Sequence, residues 1–402
     1  MPITLNSHVS GRHFLQIPGP TNVPDAVLNA MRQPTIDHRG PEFAHLGKRC
    51  ITGMQRVFGT QHPVMIYPSS GTGAWEAALV NTLSAGDTVL MYETGHFASL
   101  WQKLAKKLGL QTETLRALTD EDHWRTGVDA AQIQARLAAD TAHAIKAVCV
   151  VHNETATGVT SNILAVRAAI DAAKHPALLL VDTISGLASV DYQHDGWGVD
   201  VTISGSQKGL MLPPGLGFNA LSPKAIAASK TAGLPRAYWA WDEIIESNKG
   251  GYWPSTPATG LLYGLDVALD MLERETLPAV FARHHRHAHA TRAAVRAWGL
   301  EILCKDPAVY SDVLTAVVMP KKADGSFYNA DALRRCAHTH YNLSLGTGLG
   351  RLGGWVFRIG HLGDFNDLAL MGTLAGVEMA FTREGLPLSS SGVAAAMAVL
   401  TR

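Results

Sequence analysis

The sequence predicts an α/β protein: a large, doubly wound, mainly parallel sheet domain followed by a smaller C-terminal α+β domain. At 402 residues the chain exceeds the size at which one core keeps growing, so more than one domain is expected. From about residue 60 to 230, short apolar runs alternate with amphipathic stretches, the mark of a parallel sheet covered on both faces. A long stretch of helical periodicity, Leu261 to Trp298, then leads into a last segment where strands and helices alternate again. The expected division is an N-terminal arm (1–20), a large domain (21–275) and a small domain (276–402).

The elements follow in order. Val64 to Tyr67 is a strand candidate, Ala74 to Leu83 a helix, Thr88 to Met91 a strand, and Ala98 to Leu108 a helix. Ile145 to Val151 reads as a strand, Ile163 to Lys174 as a helix, and Leu178 to Val181 and Val199 to Ile203 as two further strands. In the C-terminal part, Thr315 to Met319 and Val356 to Ile359 are strands, and Ala330 to His338 and Asp367 to Phe381 are helices. Ser389 to Gly392 is a turn too short to be a linker.

Composition narrows the function. Thirty-four basic and 34 acidic side chains cancel, which leaves no electrostatic footprint for nucleic acid or an anionic membrane and points to a small-molecule ligand. Cys50, Cys149, Cys304 and Cys336 are scattered without a CxxC pair, so neither a disulfide framework nor a zinc site is expected. Met1 to Ser10 lacks the charged and apolar regions of a signal segment, and no window is apolar enough to span a bilayer; the expectation is a cytoplasmic protein.

The chemistry is concentrated at the ends of the apolar runs. Ser204-Gly205-Ser206-Gln207-Lys208-Gly209 places a lysine just past one run, and Asp182 closes another. A lysine and an aspartate at the mouths of two buried strands are what pyridoxal phosphate (PLP) requires: an amine to hold the aldehyde, and a carboxylate to keep the pyridine nitrogen protonated. Ser69-Ser70-Gly71-Thr72-Gly73 follows a strand and opens a helix, where free N–H groups and the helix dipole attract a phosphate. An ordinary capped helix would read the same way were it not for the aspartate and lysine further on. Phe97, soon after a strand, is the nearest ring on which a pyridine could lie, although core packing would equally explain it. Thr155, in the polar loop His152 to Gly158, could bring its hydroxyl to the cofactor at the C-terminal edge of the sheet.

The order phosphate loop, aromatic, hydroxyl loop, Asp182, Lys208 resembles the fold-type I PLP enzymes, and within them the class V aminotransferases. The longer runs that carry the resemblance are Gly19 to Pro24, HNETATGVT from His152 to Thr160, Gly205 to Lys208, Tyr252 to Pro257, Tyr341 to Gly346, and Phe357 to Gly363. It extends from about Phe14 to Leu400. The resemblance implies a PLP enzyme that moves the amino group of L-serine to glyoxylate, giving hydroxypyruvate and glycine. Alternatives are transamination from alanine or another small amino acid, a PLP lyase, or, outside enzymes, a non-catalytic PLP-fold protein. It further implies Lys208 as the cofactor lysine and proton carrier, Asp182 as partner of the pyridine nitrogen, and Thr155 near the phenolic oxygen. Ser70, Gly71, Thr72 and Gln207 would serve the phosphate, Phe97 would stack on the ring where some relatives carry tryptophan, and Arg358 would clamp the substrate carboxylate. Tyr252 and Thr256, with Ser255 an equally placed hydroxyl, match a segment that reaches the neighbouring subunit's cofactor phosphate, which implies a homodimer with shared sites.

Several other features have plain readings. Gly346 to Gly353 contains a formal GxGxxG, but it precedes a strand rather than following one, which argues against a nicotinamide dehydrogenase. His284, His285, His287 and His289 are read as a solvated helix face, since no carboxylate follows at ligand spacing and Arg283 and Arg286 would repel a metal ion. Asp37 to Phe43 is polar and turn-like and resembles a family segment near the active-site entrance, which implies a role in substrate access; the plain alternative is a surface loop. Cys336 lies roughly where PLP-dependent desulfurases carry a nucleophile, yet its surroundings read as a helix, whereas a reactive thiol wants an exposed, electropositive loop.

Overall fold

The structure, a computed structural model, describes residues 10–402. Residues 1–9, the larger part of the stretch read above for a signal segment and the first part of the expected arm, lie outside the described residues. Fourteen strands are named in chain order: β1 (Phe14–Gln16), β2 (Val64–Ser69), β3 (Thr88–Tyr92), β4 (Gln111–Leu115), β5 (Ile145–Val151), β6 (Asn153–Glu154), β7 (Val159–Thr160), β8 (Leu178–Asp182), β9 (Val201–Gly205), β10 (Gly215–Leu221), β11 (Glu301–Ile302), β12 (Leu314–Val318), β13 (Leu343–Thr347) and β14 (Val356–Gly360). The large sheet has the order β2-β10-β9-β8-β5-β3-β4. Its central and outer pairs, β9–β8, β8–β5, β5–β3 and β3–β4, are parallel, and β10 runs antiparallel to both β2 and β9.

The apolar runs are continuous rather than alternating because both faces are buried. Along β2, β3, β5 and β8, successive residues go to opposite cores. Val64, Ile66, Leu90, Val148, Val150, Leu179 and Val181 meet helices Pro41–Phe58 and Thr259–Glu275 on one side. Met65, Tyr67, Val89, Met91, Cys149 and Leu180 meet helices Gly71–Thr82 and His96–Lys107 on the other. Each such side chain contributes about 1.5–3 kcal/mol on burial, so the sheet is a rigid platform for what extends from its edge.

The second sheet, β1-β13-β14-β12-β11, is antiparallel apart from β1, which pairs parallel with β13 from Phe14↔Leu343 to Gln16↔Leu345. The N-terminal stretch is thus fastened to the C-terminal sheet. Arg358 sits on the middle strand, opposite Ala316 of β12 and Gly346 of β13.

The elements named from the sequence lie close to where it places them, four segments are built differently, and others, among them β10 and helices Ala130–Ala139 and Trp241–Gly250, had no counterpart in that reading. The periodic run Leu261 to Trp298 is two helices, Thr259–Glu275 and Leu277–Ala297, broken where Thr276 adopts φ 71° and Pro278 removes a donor. Asp37 to Phe43 is only half a turn: Pro41 opens helix Pro41–Phe58, and Phe43 is fully buried. The segment after Ser389-Ser390 forms a further helix, Gly392–Leu400, capped by the Ser391 hydroxyl. The histidine stretch is not a uniformly solvated face. His284 and His287 are buried, His284 accepting from the Gly363 N–H and His287 meeting Asp367, while His285 and His289 are exposed. Burial follows from the helix packing against the C-terminal segment, a contact that periodicity cannot see. Among the described residues no group of three or more His, Cys, Asp or Glu could hold a metal ion, and no helix is long and apolar enough to cross a membrane. The four cysteines are buried and free, with Cys336 inside helix Ala330–Tyr341. The GxGxxG run continues from β13 through a single 3-10 turn, Gly350–Leu352, into β14, with no helix to receive a pyrophosphate.

Candidate active site

Six strands of the large sheet end at the same edge: β2 at Ser69, β3 at Tyr92, β4 at Leu115, β5 at Val151, β8 at Asp182 and β9 at Gly205. The C-terminal edge of a parallel sheet is where ligands of such folds bind. The loops leaving it enclose a cavity of about 250 Å³. Ser70, Gly71, Thr72, Phe97, Thr155, Asp182, Gln207 and Lys208, singled out from five separate segments, all line it. Residues from the N-terminal segment, Gly19 and Pro20, complete one wall.

Helix Gly71–Thr82 points its N-terminus into the cavity. Helices Ala130–Ala139 and Ile163–Ala172 are capped by the side chains of Asp129 and Asn162, but the N-cap Ser70 makes no capping bond. Its hydroxyl and the first N–H groups of the helix are therefore left for an anion. The buried amide oxygen of Gln207 also has no partner. The uncapped helix end fits a phosphate group; the Gln207 oxygen is an acceptor, so only the NH2 end of that amide could donate to one.

Asp182 is buried and doubly anchored. Its Oδ2 accepts from the Trp75 indole N–H at 2.9 Å, and its Oδ1 from the Ile184 N–H at 2.7 Å. Burial pushes the carboxyl up to about 7, the Ile184 N–H acts against this, nearby Glu154 adds to the rise, and Trp75 and Lys208 oppose it. A cationic ring nitrogen beside Asp182 would restore the ionised form. Lys208 is equally buried, its Nζ donating to the Pro18 carbonyl; burial and then the charge of Arg358 bring its amine down to about 7, against the pull of Asp182. Gly19 is required beside it: φ is +98°, and a Cβ there would lie 2.4 Å from the Lys208 side chain.

Arg358 does not line the cavity but borders it. Its Nε donates to the Thr347 carbonyl at 2.8 Å and one Nη to the Thr155 carbonyl at 2.7 Å, which fixes the guanidinium plane while leaving further N–H groups for a carboxylate. Burial lowers its pKa to about 10, with Glu154 acting in the opposite direction. Tyr252, Ser255 and Thr256 are not brought to this cavity; Ser255 and Thr256 are exposed and Tyr252 is half-buried.

Sequence reasoning missed Trp75, Ile184, Glu154 and the Gly19-Pro20 wall. Trp75 carried a usable signal, because an indole N–H on a buried helix one turn past the phosphate loop must find an acceptor. Glu154 lies in the polar loop His152 to Gly158, where a carboxylate gives no sign that it will be buried. The Gly19–Lys208 contact, across 189 positions, has no local signature.

An anion seat at a helix N-terminus, a buried carboxylate and a buried lysine on the rim of a doubly wound sheet define a PLP-dependent enzyme of the two-sheet type. The family described as Aminotransferase class-V matches residues 13–322, and the chain belongs to it. It is 47% identical to the serine–glyoxylate aminotransferase of Methylorubrum extorquens over 97% of this chain and 96% of that one. Against the L-aspartate–glyoxylate aminotransferase of Paracoccus denitrificans the identity is 44%, over 94% of each chain. Among solved structures, ureidoglycine–glyoxylate aminotransferase from Bacillus subtilis superposes with a TM-score of 0.88 at 22% identity, covering 98% of this chain and all of that one.

Proposed function

We propose that the protein transfers the amino group of L-serine to glyoxylate, giving hydroxypyruvate and glycine. The observation that carries this reading is the convergence of Lys208, Asp182 and the uncapped Ser70–Thr72 helix end on one cavity, in a chain whose near relative is named for that reaction. PLP, when bound, supplies an electron sink for the pair left when the Cα–H bond of an amino acid breaks. The N–H groups of Gly71 and Thr72, the Ser70 hydroxyl and Gln207 bind its phosphate, and Phe97 and Thr155 hold its ring. Asp182 pairs with the ring nitrogen, oriented by Trp75 and Ile184. Arg358 pairs with the substrate α-carboxylate and so turns the Cα–H toward Lys208. Lys208 Nζ takes that proton; an amine lowered to about 7 is largely free base just above neutrality, as a general base requires. Both substrates use the cavity in turn, so the kinetics are ping-pong.

In this reading the protein is a homodimer in which Tyr252 and Thr256, or Ser255 in its place, complete the partner's phosphate site; the exposure of Ser255 and Thr256 away from this cavity supports it. The division into 1–20, 21–275 and 276–402, a cytoplasmic location and a place in one-carbon metabolism belong to the same reading.

The test is direct. Purified protein with PLP, glyoxylate and a panel of L-amino acids should form hydroxypyruvate and glycine fastest from serine. A higher kcat/KM for aspartate, the donor named for the Paracoccus relative, or for alanine would reassign the donor and keep the class.

A further inference from the structure

Glu154 has no part in the reading above, yet it is the most completely buried carboxylate beside the cavity, with no exposure at all. An ionisable group in such a place is retained only where it is well satisfied. Its Oε1 accepts from the Phe97 N–H at 3.3 Å and the Ala156 N–H at 3.0 Å, and its Oε2 from the Ala98 N–H at 3.2 Å. Phe97 and Ala98 belong to the first turn of helix His96–Lys107, whose N-cap is Gly95 and which has no side-chain cap of its own. A carboxylate from another element does that work, and the helix dipole favours it there.

The other contacts of Glu154 lead to the same cavity. Ala156 follows Thr155, whose hydroxyl-bearing side chain lines the cavity and whose carbonyl accepts from Arg358. The backbone of the loop closes on Glu154 as well, with Thr157 and Gly158 N–H groups donating to its carbonyl. Gly95 presses on it directly: a Cβ at Gly95 would lie 2.4 Å from Glu154 Cγ, although its φ of 172° is open to any residue. The exclusion of a side chain is therefore by contact alone.

We propose that Glu154 is a positioning residue for the transamination, its carboxylate tying the helix start that carries Phe97 to the loop that carries Thr155, so that ring face and hydroxyl keep one spacing across the cofactor pocket. Arg358 is included in the arrangement through Thr155; burial pushes the Glu154 carboxyl up to about 7, the Ala156, Ala98 and Phe97 N–H groups and Arg358 act against that rise, and in its ionised form Glu154 supports the Arg358 guanidinium. The proposal rests on the assignment of this cavity to PLP.

Glu154→Gln tests it with little change of shape: one oxygen becomes an NH2 group facing N–H donors. PLP titrated into the cofactor-free variant should bind roughly tenfold more weakly, the loss expected for one charge-assisted hydrogen bond. The circular dichroism of bound PLP should change, and kcat for serine should fall about tenfold with KM within about twofold, because Arg358 keeps its anchors. Gly95→Ala, which displaces the carboxylate without neutralising it, should reproduce the dichroism and kcat changes. A Glu154→Gln protein with wild-type PLP affinity, dichroism and kcat overturns the proposal, as does one whose sole change is a lower melting temperature. Failure of the wild type to use serine would instead strike the donor assignment and leave the affinity and dichroism comparisons readable.

Discussion

The indole N–H of Trp75 donates to Asp182 Oδ2 at 2.9 Å, joining the helix that starts at the anion seat to the end of strand β8. The proposed phosphate seat and the proposed partner of the ring nitrogen are thereby held by one hydrogen bond, and the Ile184 N–H holds the other carboxylate oxygen. Both donors favour the ionised carboxylate over the neutral form that burial promotes.

Trp75→Phe keeps the packing and removes one donor. The Asp182 carboxyl should then rise further, so that less of it is ionised near pH 7. We expect kcat to fall roughly three- to tenfold, the worth of one hydrogen bond to a charged group. The deficit should shrink as pH is raised from 7 toward 9, where the carboxyl ionises regardless. A pH-independent deficit in a kcat–pH profile would assign the loss to packing.

Lys208→Ala should still bind PLP through the phosphate seat and Asp182, but without the visible absorption of a lysine-linked cofactor and with transamination lost by several orders of magnitude. Appreciable turnover, measured as hydroxypyruvate formed, would remove Lys208 from the mechanism.

Arg358→Leu deletes the proposed carboxylate partner. KM for serine and for glyoxylate should rise together by about 10- to 100-fold, since both present the same carboxylate. Steady-state kinetics with each substrate varied in turn measure this, and an unchanged KM for either one contradicts the clamp.

Lys208→Met bears on stability without cofactor. The Lys208 amine lies near 7 in the fold against a usual 10.5, so folding is penalised while the unfolded lysine is protonated and the buried one resists it. That penalty is complete below about pH 7 and fades as pH rises toward 10.5. The cofactor-free variant should therefore melt higher than wild type by about 2 °C or more at pH 6, and the gap should narrow by pH 9. Thermal unfolding at the two pH values decides it; a gap that widens with pH would refute the buried-amine account.

Much of this site was legible in the sequence because its parts are local. The ends of apolar runs mark the sheet edge, and the residue types just beyond them, Ser70 to Thr72, Asp182 and Lys208, declare their chemistry by position alone. The break at Thr276 and the burial of His284 and His287 were not legible. A helical period of 3.6 does not register one residue at positive φ, and it says nothing of which neighbour will cover a polar face. Strand β10 was also hidden, since Gly215 and Gly217 dilute its apolar pattern.

The sequence by itself determined the class: an α/β fold with a lysine and an aspartate at strand ends, because buried parallel strands must be apolar and polar groups must follow them. Only the tertiary structure decided how that chemistry is held. Trp75 on Asp182, Gly19 against Lys208 and Glu154 against Phe97 and Ala98 are contacts between elements distant in the chain. Their directionality comes from hydrogen-bond and steric geometry, which exists once the sheet has brought the loops to one edge.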